Sequence, residues 1–365
     1  MSNLINKNQE AFLSLIRAGL WEKDSILPYY AEQDYNVIYN LAEQQSVVGL
    51  VAAGIEHISG LKIPQTDALK FIGTSIQLEQ RNITMNDALC DIIHRLKEND
   101  ILALLVKGQG IAQCYERPLW RSPGDIDLLL EENDYKQAKD VLIAQADYIE
   151  KENKYKKHLA IYIHNLCLEL HGSFHTGLAA NIDSALDIIQ KDLYKRGDYR
   201  IWNNKGEAIL LPNPTFDCIF IFTHILQHLF KGGIGLRQIC DWCRLLWVYR
   251  CEIDRTFIEE TIKKMGVLTE WKVFASLGVV FLGVPEKCIP LYDKGIKWSN
   301  KAKILLSFIL NVGNFGHNKT NKGIVKVIYN RLNDFIRLFF IFPIDTIHFF
   351  YRVFFVGRKE YRESK

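Results

Sequence analysis

The chain of 365 residues contains no run of about 18 consecutive apolar residues, the length a helix needs to cross a bilayer. Its nearest approach, Leu338 to Ile344, is stopped by Asp345. A signal-type apolar core is missing as well: residues 1 to 24 read as an amphipathic helix, so the expectation is a cytoplasmic protein with no transmembrane span. Charge of one sign is scarce. The balance of 45 Lys and Arg against 42 Asp and Glu leaves +3, which argues against a general nucleic-acid coating protein but permits a local basic patch. The eight cysteines lack the spacing of a disulfide framework and fit a reducing compartment. Neither a P-loop nor the longer Gly-x-Gly-x-x-Gly fingerprint is present.

What the chain does have is a 48% hydrophobic content, enough to bury a core across two or three structural units. Apolar residues recur at helical spacing from about 7 to 98, with breaks expected near Pro28 and from Gly60 to Pro64. The pattern changes at Ile101 to Val106, a short apolar run that reads as a buried strand. A helix over 109–116, a strand over 125–130 and a helix over 133–146 capped by Asn133 or Asp134 follow. Strands are expected at 148–152, 158–164 and 166–171, the last two forming a hairpin that turns near Asn165. A linker rich in Asp and Lys is expected at 183–206, then helices at about 214–230, 236–250, 254–265 and 268–283. The organisation is therefore α+β, with a small mixed β-sheet core (99–210) flanked by N- and C-terminal helical units (1–98 and 211–320) and a tail (321–365).

The chemistry centres on Gly124-Asp125-Ile126-Asp127-Leu128-Leu129-Leu130. Side chains alternate along a strand, so Asp125 and Asp127 share a face while Ile126, Leu128 and Leu130 enter a core. Two neighbouring anions call for a hard divalent cation on oxygen ligands, which points to Mg²⁺ and phosphate chemistry. In Leu166 to His171, Glu169 and His171 share a face, and Glu169 completes a three-carboxylate set if this strand pairs beside 125–130. Lys107-Gly108, at a strand-to-helix junction, suits a phosphate, the lysine adding a point charge. Arg121 has two readings, a partner for an acidic ligand or a contact to nucleotide phosphates.

Taken in order, Lys107-Gly108, Tyr115, Pro118, Arg121, Gly124 to Leu129 and Leu168-Glu169-Leu170-His171 resemble the nucleotidyltransferase-fold superfamily, which includes the DNA polymerase β palm. Within it they resemble the bacterial family of uncharacterised nucleotidyltransferases. His224-x-x-x-His228 and Leu236 to Asp241 are similar to that family's helical C-terminal part. The resemblance implies transfer of a nucleoside monophosphate from an NTP to an acceptor, with Mg²⁺ or Mn²⁺ as cofactor. It implies Asp125, Asp127 and Glu169 as catalytic metal ligands, and Lys107 and Gly108 as the phosphate-binding element. Arg121 and His171 are expected to line the nucleotide site. The superfamily's usual Gly-Ser pair is replaced here by Lys107-Gly108, which leaves the donor base unassigned; the acceptor could be a protein side chain, an RNA end, a sugar or a small molecule.

Rival readings attach to other residues. One alternative is a non-catalytic nucleotide-binding or regulatory protein of the same fold, at a membrane periphery through its tail; failure to bind Mg²⁺·NTP would favour it. A zinc hydrolase on His164, Cys167, His171 and His175 is opposed by strand alternation, which turns His164 and Cys167 to opposite faces. His224 and His228 share a helix face, where they could bind metal, touch nucleotide or pack together. Cys240 and Cys243 lie in an apolar pattern that suits core packing. From Lys322 onward nine Lys or Arg stand against four Asp or Glu, among aromatics at helical spacing. This tail suits peripheral contact with a membrane surface, an acidic partner, or packing on the protein itself.

Overall fold

The computed structural model describes residues 5–25, 33–59, 63–153, 157–314 and 324–355. Helices α1 (Lys7–Trp21), α2 (Tyr35–Gln44), α3 (Val48–Glu56) and α4 (Gln65–Glu98) precede the sheet. The break expected at Pro28 and most of that at Gly60 to Pro64 lie outside the described residues, but Pro64 stands at the start of α4. Asn6 and Gln9 form a reciprocal capping box that begins α1. Along α4 the buried residues Phe71, Ser75, Leu78, Asn82, Met85, Leu89, Ile92 and Leu96 recur every three or four positions, so one stripe runs the helix's length.

Then come β1 (Ala103–Val106), α5 (Gly108–Ala112), β2 (Ile126–Leu130), α6 (Glu132–Ile143), β3 (Tyr148–Ile149), β4 (His158–Ile163) and β5 (Leu166–His171). The sheet order is β1-β2-β5-β4-β3. β2 and β5 run parallel, and the other pairs are antiparallel. The β4–β5 hairpin turns at His164 and Asn165, both left-handed at φ 48° and 64°, as a two-residue primed turn requires. Helix α6 begins one residue earlier than expected, and neither Asn133 nor Asp134 caps it; Glu131 stands at its start without a side-chain cap bond. Helix α5 is shorter than the expected 109–116, because turns take over at Gln113.

The expected linker at 183–206 is instead helix α7 (Ala180–Arg196) followed by strand β6 (Tyr199–Asn204), which pairs with β7 (Glu207–Pro212) in a separate two-stranded sheet. Ile182, Ala185, Leu186, Ile189 and Leu193 give α7 a buried stripe beneath its charged face. Helices α8 (Pro214–Lys231), α9 (Leu236–Val248), α10 (Arg255–Met265) and α11 (Leu268–Leu282) fall close to their expected places. α12 (Ile296–Val312), α13 (Ile324–Ile341) and α14 (Pro343–Phe355) complete the described chain, Pro343 dividing the last two.

The sheet separates two apolar cores. Leu105, Ile126, Leu128, Leu130, Leu168 and Leu170 pack against the end of α4 and against α6. Leu104, Val106 and Leu129, from the opposite face, join the larger core built with the C-terminal helices. No helix among the described residues is long and apolar enough to cross a membrane.

Candidate active site

Strand register brings the acidic residues together. Asp127 stands opposite Glu169 across the parallel β2–β5 pair and opposite Val106 across β1–β2, so the residue after Val106, Lys107, emerges beside Asp127. Asp125 lies one residue ahead of β2 and opens with Asp127 and Glu169 onto a cavity of about 400 Å³. Lys107, Gly108, Arg121, His224 and Arg237 also line it. The structure thus gathers Asp125, Asp127, Glu169, Lys107, Gly108 and Arg121 around one space, while His171 lines an adjoining cavity of about 350 Å³.

The Lys107 ammonium sits 2.6 Å from Asp127 Oδ1 and donates to His224 Nε2 at 3.2 Å. An ammonium cannot accept, so His224 Nε2 is the acceptor, and His228 Nε2 lies 2.9 Å from the same atom. Burial, followed by the Lys107 charge, lowers the pKa of His224 well below its usual range and that of His228 to about 4. This neutral pair positions the lysine without adding charge.

The three carboxylates differ in their surroundings. Partial burial, then the charges of Asp127 and Glu169, raise Asp125 to about 6, against the opposing pull of Lys107 and Arg237. Burial would raise Glu169 too, but hydrogen bonds from His158 and His171 hold it well below the carboxylate range. His171 Nε2 lies 2.9 Å from Asp127 Oδ1 and 3.4 Å from Glu169 Oε2. Burial works against its protonation, but bonds to the two carboxylates raise its pKa. Asp125 is therefore the carboxylate with a surplus of like charge, and an added cation would relieve it.

Lys107 and Gly108 make the sharp corner between β1 and α5, at φ 58° and 37°. A Cβ on Gly108 would come 3.1 Å from the Asp125 carbonyl oxygen, so the glycine permits close approach of the two segments that carry the site. The segment before Asp125 is fixed from α4, where Asn82 Nδ2 donates to the carbonyls of Leu119 and Arg121 at 2.7 and 2.8 Å.

Arg121 is held by a partner on α9. Its Nε and Nη2 donate to Asp241 Oδ1 and Oδ2, both at 2.7 Å, and Tyr115 Oη donates to Oδ1 at 2.8 Å. All of these bonds are buried. Arg237, also on α9, donates through Nη1 to the carbonyls of Ser122 and Pro123 at 3.0 Å. Its Nε is buried with no hydrogen-bond partner among the described residues, and burial followed by the Arg121 charge lowers its pKa.

Arg237, Asp241 and His158 had no assigned place in the sequence-based site. Arg237 and Asp241, four apart on one helix, reach residues more than a hundred positions earlier, and a single sequence carries no signal of that. His158 could have been found through the β4–β5 hairpin, which sets it opposite His171. The residues His164, Cys167, His171 and His175 are not gathered into one site. His164 sits in the turn with its backbone N–H on Asp147, Cys167 neighbours Tyr162, and His175 Nε2 bonds Asp187 at 2.9 Å. Cys240 and Cys243 are fully buried in the core.

No curated protein and no solved structure matches the chain. A family model does: residues 31–278, which contain the whole carboxylate site, match the uncharacterised nucleotidyltransferases. The chain belongs to that family, and the membership supports a general role in nucleotidyl transfer.

Proposed function

We propose that the protein is a metal-dependent nucleotidyltransferase that moves a nucleoside monophosphate from an NTP to an acceptor hydroxyl. The observation that carries this reading is the convergence of Asp125, Asp127 and Glu169 from two adjacent strands on the cavity that Lys107 and Arg237 also line. The donor set fits Mg²⁺ or Mn²⁺: three carboxylates offer hard oxygen ligands, and the ammonium already on Asp127 Oδ1 shows that the recess accepts positive charge. Asp125, Asp127 and Glu169 would hold the metal, which when bound supplies charge neutralisation and Lewis acidity at phosphorus.

The chain's own residues do the rest. Lys107, held by His224, offers its ammonium to the leaving phosphates, and Arg237, which lines the same cavity, adds a second cation. Glu169, kept ionised by its two histidines, suits a ligand better than a proton acceptor. The acceptor oxygen bonds to the α-phosphorus, the bond from that phosphorus to pyrophosphate breaks, and the hydroxyl proton leaves to solvent.

Incubation with each labelled NTP, Mg²⁺ or Mn²⁺ and a panel of acceptors tests this, with the readout a mass gain of one nucleoside monophosphate. Asp125→Asn with Asp127→Asn should lower transfer by about 100-fold or more. Transfer equal to wild type would remove the aspartates from the mechanism.

The tail supports a second element of this proposal, contact with an anionic membrane surface. Leu338, Ile341 and Phe342 pack into the core, but Leu332, Ile336, Phe340, Ile344, Ile347 and Tyr351 face outward on a segment with a single arginine, Arg337, whose flanking sequence on both sides supplies most of the tail's Lys and Arg. Co-sedimentation with anionic vesicles, weakened by Phe340→Ser with Ile344→Ser, is expected; equal sedimentation with neutral vesicles would count against it.

A further inference from the structure

We propose that His158, Glu169 and His171 form a binding site for one transition-metal ion of the Zn²⁺ class, distinct in chemistry from the all-oxygen set at Asp125 and Asp127. His158 Nε2 lies 3.3 Å and His171 Nε2 3.4 Å from Glu169 Oε2, and the three donor atoms all lie within 4.8 Å of one another. For Zn–N and Zn–O bonds of about 2.0–2.1 Å, a tetrahedral site has donor-to-donor edges of roughly 3.3–3.4 Å. The two edges to Glu169 already have that length, so these two contacts need little change when an ion enters.

The backbone explains the arrangement. His158 and His171 are register partners across the antiparallel β4–β5 pair, and their rings stand 4.9 Å apart. Glu169 shares their face two positions away, opposite Ala160, whose small side chain leaves room beside the carboxylate. None of the three is fully exposed: their side chains retain 32%, 24% and 13% of their accessibility for His158, Glu169 and His171. That degree of burial keeps the rotamers defined while leaving a route for an ion.

Hydrogen bonding alone serves these atoms poorly. His171 Nε2 has Asp127 Oδ1 at 2.9 Å and Glu169 Oε2 at 3.4 Å, yet carries at most one hydrogen for both. His158 Nε2 is directed at the same Glu169 oxygen. A metal ion would take both imidazole nitrogens and the carboxylate at once, releasing to solvent the proton that His171 Nε2 holds between Asp127 and Glu169. Two imidazoles and one carboxylate favour a borderline ion over Mg²⁺, which prefers oxygen. The adjoining cavity of about 350 Å³ leaves a fourth position for water or a substrate atom, as in catalytic rather than structural zinc sites. The short-spaced set from His164 to His175 is not assembled, but a partner from the neighbouring strand takes its place.

The site is read with the ion alone, so it stands or falls independently of nucleotide transfer, although Glu169 belongs to both sets. Full-length protein stripped with a chelator is titrated with Zn²⁺ by calorimetry and with Co²⁺ by visible absorption, in the absence of nucleotide. One equivalent should bind, with the intense absorption of four-coordinate Co²⁺. His158→Gln and His171→Gln should each weaken binding by more than about 100-fold, since removing even an outer-shell partner costs 10–100-fold. Asp125→Asn should leave Zn²⁺ affinity unchanged. Absence of stoichiometric binding, wild-type affinity in His158→Gln, or loss of Zn²⁺ binding in Asp125→Asn would each overturn the proposal. Metal-free melting curves establish that the variants are folded; should His171→Gln not fold, the more exposed His158 decides the outcome.

Discussion

Replacing Asp241 by Asn should unfold the protein more readily, because Asp241 anchors Arg121 and through it the segment leading to Asp125. The two side chains are nearly buried, at 5% and 8% accessibility, and meet through paired bonds of 2.7 Å. Asn keeps Oδ1 for Arg121 Nε and Tyr115 Oη but puts an amide donor where Oδ2 faced Nη2. The guanidinium is then a buried cation without its counter-charge, a loss worth about 3–5 kcal/mol. Against a total stability of about 5–15 kcal/mol this is a large fraction. With an m value of about 3 kcal/mol/M, the urea midpoint should fall by roughly 1–1.7 M. The double variant Arg121→Met with Asp241→Leu removes both charges and should recover most of the loss. An unchanged midpoint in Asp241→Asn, accompanied by weaker NTP binding, would refute the anchoring role and return Arg121 to the nucleotide.

Two further outcomes follow from buried or constrained groups. Glu270 is 1% exposed, and burial followed by the side-chain hydrogen bond with neighbouring Asp345 raises its pKa well above the usual range. A raised carboxyl favours the folded state below the unfolded pKa and loses that contribution as pH rises past it. Glu270→Gln should therefore raise the melting temperature at pH 8 by about 2 °C or more, with the gain shrinking toward pH 4; a gain that grows on acidification would contradict the assignment. Gly108→Ala forces a side chain into a backbone at φ 37° and against the Asp125 carbonyl, costing about 1–2 kcal/mol. Calorimetry should show Mg²⁺·NTP affinity falling along with stability, and unchanged affinity would separate this corner from the site.

The helices after residue 210 were legible because their apolar residues recur at one period and their ends carry recognisable caps, such as Asn213 accepting from the Phe216 N–H and Asp254 from the Phe257 N–H. The carboxylate strands were legible for the same kind of reason: period-two alternation puts Asp127 and Glu169 on the face opposite Leu128 and Leu170. Residues 183–206 misled because Asp187, Lys191, Asp192, Lys195 and Arg196 break up the apolar stripe of α7 in the sequence, while Asp183 is buried and accepts from the Thr176 N–H and hydroxyl. The β6–β7 turn, with Lys205 and Gly206 at φ 52° and 95°, is a primed hairpin whose signal is short. Helix α12 falls within the helical unit expected at 211–320 but was given no boundaries of its own. The Arg121–Asp241 and Lys107–His224 contacts depend on how α8 and α9 dock on the sheet, and no local pattern encodes that docking.

The parallel pairing of β2 with β5 has a consequence for the order in which the protein comes into being. Asp127 and Glu169 are about forty residues apart in the chain, and α6, β3 and β4 lie between them. Contacts of that span form late, after shorter-range hairpins and helices have closed the intervening loop. A slip of one residue in the pairing would turn Glu169 to the opposite face. The β4–β5 hairpin is local and can pair His158 with His171 early, whereas the full acidic set exists once β5 has docked in register. On a nascent chain, ion binding by the aspartates and Glu169 together would therefore mark completion of the central sheet, making the site a built-in reporter of correct folding.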